Sequence, residues 1–168
     1  MTFEFTDDAK LWEKRLACLE RLKSARVDVG LTSSASGRSR FLLGIHEHGS
    51  PAMRIPARPV IAPALSSPKA RAAMAEAMTE AVSAAMEGDE AGTAAGLEAA
   101  GQAGVDAIHA YIDAGVPPPN APITVSGGWM WNRVAHKPFH VSGKGTNRPL
   151  YDTGSLYNDF EFEVMSKS

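Results

Sequence analysis

Along the chain the apolar positions change period several times, and each change marks an element. Residues 2–6, TFEFT, alternate strictly, with Phe3 and Phe5 on one side and Thr2, Glu4 and Thr6 on the other. That period predicts a short half-buried strand. In TDDAKLWEKRLACLERLKSA the period becomes helical: Trp12, Leu16 and Leu19 fall at i, i+4 and i+7 and predict a buried stripe. Thr6 suits the cap, Asp7 and Asp8 the positive end of the helix dipole, and Arg21 and Lys23 the other end. VDVGL (27–31) alternates again and predicts a second strand. TSSASGRSR (32–40) is small, polar and basic, which predicts a mobile loop. FLLGIHEHG (41–49) fits a short helix or a strand.

Gly49, Pro51, Pro56, Pro59 and Pro63 make 49–64 an extended, locked passage. Ser66 or Ser67 followed by Pro68 predicts a helix start. Met74, Met78, Val82 and Met86 then line one face. EGDEAG (87–92) interrupts, and a second helix runs to about Ala114, closing on Gly115 and Pro117. Gly92, Gly96, Ala100 and Gly104 form a small-residue row that permits close approach of a neighbour, expected to be the preceding helix; Val105, Ile108 and Ile112 supply apolar contacts. VPPPNAP (116–122) is a stiff connection. Residues 123–147 are rich in aromatic and β-branched side chains, with a Lys-Pro break at 137–138, and predict a hairpin or long excursion. Residues 152–164 predict a turn or single helical turn, then a strand with Phe160, Phe162 and Val164 on one face. That alternation matches residues 2–6, so the two strands are expected side by side. The order β-α-β-α-α-β-β predicts one α+β domain over 1–168. It has a small, mostly antiparallel sheet, an N-terminal helix and a central helical pair packed on one face, and a hairpin-like excursion inserted at about 126–142.

Composition sets limits. With 168 residues, 44% of them apolar and 21% charged, the chain can bury a real core as one globular domain. A net charge of −2 gives no overall electrostatic reason to bind nucleic acid or an anionic membrane. No stretch approaches the roughly 18 apolar residues of a membrane span, so no membrane partner is expected. The N-terminal residues are acidic and lack an apolar run, so no signal peptide is expected. Cys18 is the sole cysteine, which excludes an intramolecular disulfide or a multi-thiolate metal site; in an amphipathic helix it suits packing.

Candidate chemistry is sparse. His46 and His48 share a face if their segment is a strand, and His136 and His140 share one if theirs is a helix. Together the four have the number for a tetrahedral zinc site, the basis for a small zinc-dependent enzyme or metal-stabilised module as the alternative function. Pro138 argues against that second helix. GKGT (143–146) lacks the glycine five residues earlier that a phosphate loop needs; Pro138 stands there. No Gly-x-Ser-x-Gly occurs, and Glu161 and Glu163 lie on a solvated strand face. Arg38 and Arg40 in the 32–40 loop, with Lys137, Lys144 and Arg148, are candidates to meet phosphates, Arg38 and Arg40 as a DNA-facing loop. The expectation is a protein that is not an enzyme and uses no cofactor.

Three blocks carry a resemblance. HEHGSPAMRIPARPV (46–60) resembles the "hEfGt…iPaRPF" passage of the tail-component and virion-morphogenesis families, small neck and tail-completion proteins of tailed bacteriophages. Glu47, Gly49, Ile55, Pro56, Ala57, Arg58 and Pro59 match, while His48 replaces an aromatic and Val60 a phenylalanine. PPNAPIT (118–124) is similar to a second block. GKGTNRPLYDTGSLYNDFEFEV (143–164) is similar to "GkgskPLidTGrLrnSityeV" through Pro149, Leu150, Asp152, Thr153, Gly154 and Leu156. The blocks occur in the family's order, and SGGWMWNRVAHKPFHVS (126–142) departs as an insertion. The resemblance implies a tail-terminator or tail-completion protein of a long-tailed phage or a phage-derived particle such as a gene transfer agent. Such a protein is made in the host cytoplasm and placed in the virion at the head–tail joint. It forms a ring, usually sixfold, that docks the tail tube protein to the head connector or stopper protein, with DNA passing through the channel.

In that setting Pro56 and Pro59 fix the backbone around Arg58, with Glu47 as its expected partner within the subunit or across to a neighbour. Arg58→Ala is then expected to spare the fold and impair assembly. Gly49 and Asp152-Thr153-Gly154 are turn residues. Trp129, Trp131 and Arg133 share a strand face expected to anchor a partner, with the glycines at 127–128 and 143–145 as hinges. Glu47, Arg58, Arg148 and that face are the expected interface.

Overall fold

A computed structural model describes residues 6–52, 54–132, 134–145, 147–150 and 154–165. The strand expected at 2–6 lies outside them except for Thr6, which begins the first helix. The fold is α+β, with seven helices and four strands among the described residues. Helix α1 (Thr6–Ser24) leads into strand β1 (Arg26–Leu31), α2 (Gly37–His48), α3 (Ile61–Ser66), α4 (Pro68–Glu87), α5 (Glu90–Asp113) and α6 (Pro122–Ser126). The hairpin strands β2 (Gly128–Asn132) and β3 (Lys137–Val141), then α7 (Ser155–Asn158) and β4 (Phe160–Met165), complete the order.

β4 pairs antiparallel with β1; Val29 faces Phe162 and Leu31 faces Phe160. Helix α5 lies across this two-stranded sheet, α4 packs along α5, and α1 packs along α4. The three helices are thus stacked outward from the sheet, in keeping with the expected α+β arrangement. Local chemistry explains the boundaries. Ser67 caps α4 by accepting from Ala70 N with Pro68 in the first turn, and Gly88 ends it with φ +78°.

The small-residue row of α5 faces two neighbours in turn. A methyl group at Gly96 would sit 2.6 Å from Ala81 on α4, as expected; one at Gly101 would strike the Phe162 ring and one at Gly104 would meet Val29. Because α5 touches helix on one side and sheet on the other, the row is shared between them. On α4 the buried positions are Ala70, Ala77, Ala81 and Ala85, while Met78, Val82 and Met86 are exposed. Alanine facing glycine lets the backbones close, and the bulkier side chains are left on the flank. α1 repeats this: Cys18 is buried, but Trp12 and Leu16 are 64% and 51% exposed, so the expected stripe is only partly covered. The central core joins α3, α5, α7 and the sheet through Val60, Ala64, Ile108, Ile112, Leu156 and Phe160.

Candidate functional site

The segment from α2 to α3 doubles back on itself. Gly49 (φ +74°) caps α2 by donating its N–H to Ile45 O; a methyl group there would lie 2.8 Å from Ala57 N. Ser50 and Ile55 form a bridge, and Arg58 N donates to His46 O at 2.5 Å. The Glu47 carboxylate accepts from Val60 N at 2.8 Å and Ile61 N at 3.0 Å, the first amides of α3, which have no intrahelical acceptor. Glu47 is therefore a cap, and Arg58 has other partners. Arg58 is only 6% exposed; its Nε donates to Pro118 O at 2.7 Å and its Nη2 to Pro119 O at 3.0 Å. A proline run offers carbonyls without the amides that would form a ladder, and the planar guanidinium fork suits two adjacent ones. Burial pushes the Arg58 pKa below its ordinary value. The expected Glu47–Arg58 pair is thus replaced, within the subunit, by two separate locks on neighbouring backbone.

This lock forms one wall of a cavity of about 540 Å³ to which all three family-like blocks contribute. Arg54, Ile55, Pro56 and Arg58 come from the first; Asn120, Ile123 and Thr124 from the second; Lys144, Arg148, Leu150 and Gly154 from the third. Helix α2 adds Arg38, Leu42 and His46, and β2 adds Met130. Five cationic side chains line the cavity, and no described lining residue is a carboxylate. Arg54 and Leu150 hold positive φ angles of +55° and +68°, which non-glycine residues rarely adopt.

The structure separates Arg38 from Arg40. Ser36 caps α2 by accepting from Ser39 N, so both arginines stand on the first turn of a helix and not in a mobile loop. Arg38 lines the cavity, whereas Arg40 donates to Thr32 O and Ser33 O, both at 2.9 Å. Serine and glycine before the arginines read as loop composition, and the cap was the overlooked signal. Arg148 lines the cavity. Gly154 (φ +80°) is the N-cap of α7, while Asp152 and Thr153 lie outside the described residues.

The four histidines do not converge. His46 and His48 lie two apart on helix α2, on different sides; His136 is in the turn between β2 and β3, and His140 is on β3 against Trp129. Among the described residues no group of three or more His, Cys, Asp or Glu is placed to hold a metal ion. His46 instead faces the cavity, with Nδ1 buried and without a hydrogen-bond partner. Burial first, then the charges of Arg58 and Lys144, hold its pKa below the ordinary 6.5. The unfolded chain therefore takes up this proton at a higher pH than the folded one. Stability contributed by neutral His46 is present above about pH 6.5 and is lost as the pH falls below it. Unfolding measured between pH 7 and pH 5 should show a shallower loss for His46→Gln than for the wild type. Coincident slopes would show that His46 is not held neutral.

The insertion is an antiparallel hairpin with Trp129 opposite His140, Met130 opposite Phe139 and Trp131 opposite Pro138. Met130 turns to the cavity; Trp129 and Trp131, on the other face, are 72% and 60% exposed. They do not fold back on the core, and Arg133 lies outside the described residues. The glycines at the base are not loose hinges. Lys144 N donates to Thr124 O at 2.9 Å and Gly145 N to Val125 O at 3.0 Å. A methyl group at Gly127 would lie 2.6 Å from Gly143 N, so the two chains cross backbone against backbone.

No helix among the described residues is long and apolar enough to cross a membrane. The chain matches no model of a known protein family, no curated protein and no solved structure.

Proposed function

We propose that the protein is a structural subunit of the head–tail joint of a long-tailed phage or phage-derived particle, acting by forming interfaces and not by turnover. On this reading it forms a ring, with six as the expected number, that completes the tail and docks it to the head connector, with DNA in the channel. The resemblance of the three blocks supplies the family. The observation that carries an assembly role is the presence of two unlike apolar surfaces that the described chain leaves open. One is the Trp129–Trp131 face of the hairpin; the other comprises Trp12 and Leu16 on α1 and Met78, Val82 and Met86 on α4. A soluble monomer rarely leaves such aromatic surface uncovered. Two different patches pair head to tail, and head-to-tail pairing closes into rings when the rotation permits.

Purified protein imaged by negative stain, alone and with its tail tube, should show rings of uniform diameter. A chain that stays monomeric in both conditions, or particles that join heads to tails without it, would sink the reading.

A further inference from the structure

We infer that the outer face of the β2–β3 hairpin docks on helix α4 of a second copy of this chain. Its two tryptophans would enter the row of Met78, Val82 and Met86, with its cations beside the glutamates of α4. The inference rests on the head-to-tail reading above and assigns the two surfaces that meet. Three features carry it.

First, the two signs of charge are segregated along the chain. Between Ala72 and Asp113 there is no lysine or arginine; between Ala114 and Tyr151 there is no aspartate or glutamate. The first stretch covers most of α4, and the second holds the whole hairpin. On α4 the exposed Glu76, Glu80 and Glu87 form a row along the helix beside the apolar one, and none of them enters an ion pair among the described residues. On the hairpin the exposed Lys137 stands at the tip end of β3, also outside any described ion pair, and His140 lies opposite Trp129. Surfaces of opposite sign attract across two copies, and each repels its own kind. Hairpin on hairpin and α4 on α4 are therefore the disfavoured pairings.

Second, the spacings agree. Trp129 and Trp131 lie two residues apart on a strand, about 7 Å along it. Met78, Val82 and Met86 are exposed and follow one another at intervals of about 6 Å. Three side chains in a row leave two gaps, and two indole rings at nearly the same interval can enter both. Within the subunit β2 and β3 pair with each other and do not pack along α4.

Third, the other candidates match less well. Trp12 and Leu16 are exposed on α1, but there Lys10, Lys14 and Arg15 alternate with Glu13 and Glu20, so a cationic hairpin finds no net attraction. A nucleic-acid strand would use the hairpin's cations and stack on its tryptophans, yet leave the apolar row of α4 open to water. A second copy covers both surfaces.

The test is sedimentation velocity on the full chain over a range of concentrations. Lys137→Glu should weaken self-association about tenfold, and so should Glu76→Lys combined with Glu80→Lys; all three in one chain should recover most of the loss. Complementation gives an independent arm. A Trp129→Ser, Trp131→Ser chain keeps its α4 row, and a Val82→Lys chain keeps its hairpin. Each by itself should be monomeric, and the mixture should form a one-to-one complex that grows no further. All these positions are exposed, and melting curves should show every variant folded. Should the tryptophan variant fail to fold, Lys137→Glu with His140→Glu takes its place. Rings held by other surfaces sink this inference and leave the virion reading intact. A hairpin–α4 complex formed by a chain that heads and tails do not need does the reverse. The inference is overturned by a mixture that stays monomeric, by a Val82→Lys chain that assembles like the wild type, or by a triple charge variant no better than its parents. A wild type that is monomeric at every concentration overturns it too. So does a single-stranded oligonucleotide that dissolves the wild-type assembly while quenching tryptophan fluorescence, which would show a nucleic-acid platform.

Discussion

Arg58→Ala is expected to lower the free energy of unfolding by about 3 kcal/mol, from the loss of two hydrogen bonds donated by a charged group. In the structure Arg58 is buried, and its Nε and Nη2 hold the carbonyls of Pro118 and Pro119 at 2.7 and 3.0 Å. Removing the guanidinium leaves those acceptors facing a void against the α2–α3 turn, where Arg58 N is bonded to His46 O. Two segments sixty residues apart are then no longer tied. A domain's whole stability is about 5–15 kcal/mol, so the loss would be evident in urea titration. Arg58→Lys should recover less than half, since an ammonium has no planar fork to span two adjacent carbonyls. Any assembly defect of Arg58→Ala should track its loss of stability, in contrast to the sequence expectation of a folded but unassembled chain. A variant as stable as the wild type would show that the two bonds carry no net energy.

What the sequence made legible is what short-range chemistry determines. The Ser67–Pro68 start, the Gly88 break and the end of α5 near Gly115 each rest on residues within one helical turn, and all stand in the structure. The alternation of β4 and the hairpin at 126–142 were equally local. The misses are long-range. The Met74–Met86 row was a natural core face because it is bulky, yet Gly96 against Ala81 makes the small face the buried one. Glu47 and Arg58 are opposite charges eleven residues apart and look like a pair. The stronger demand came from backbone groups that prolines and a helix start leave unpaired. The cavity was hidden for the same reason. Its cations are scattered from Arg38 to Arg148, and Arg54 and Lys144 were not among the expected interface residues.

Trp129→Ser combined with Trp131→Ser is expected to abolish ring formation and the joining of heads to tails while leaving the subunit folded. Both rings lie on the outer face of the hairpin, 72% and 60% exposed, so their removal takes little from the core. Surface substitutions of this kind usually shift stability by about 0.5 kcal/mol or less. Tryptophans that become buried in an interface cost about 2–4 kcal/mol each when truncated, so losing both weakens association by several orders of magnitude. The double substitution is a sharper test than trimming residues 127–142 to a Gly/Ser linker. Trimming also removes Met130 from the cavity lining and frees the tight crossing of Gly127 and Gly143. The trimmed chain should still keep α4, α5 and the β1–β4 sheet, none of which is built on the hairpin. Circular dichroism and melting curves report the fold, and negative stain reports the rings. A double variant that unfolds would place the tryptophans in the energetics of the subunit itself. One that assembles like the wild type would remove the hairpin from the interface.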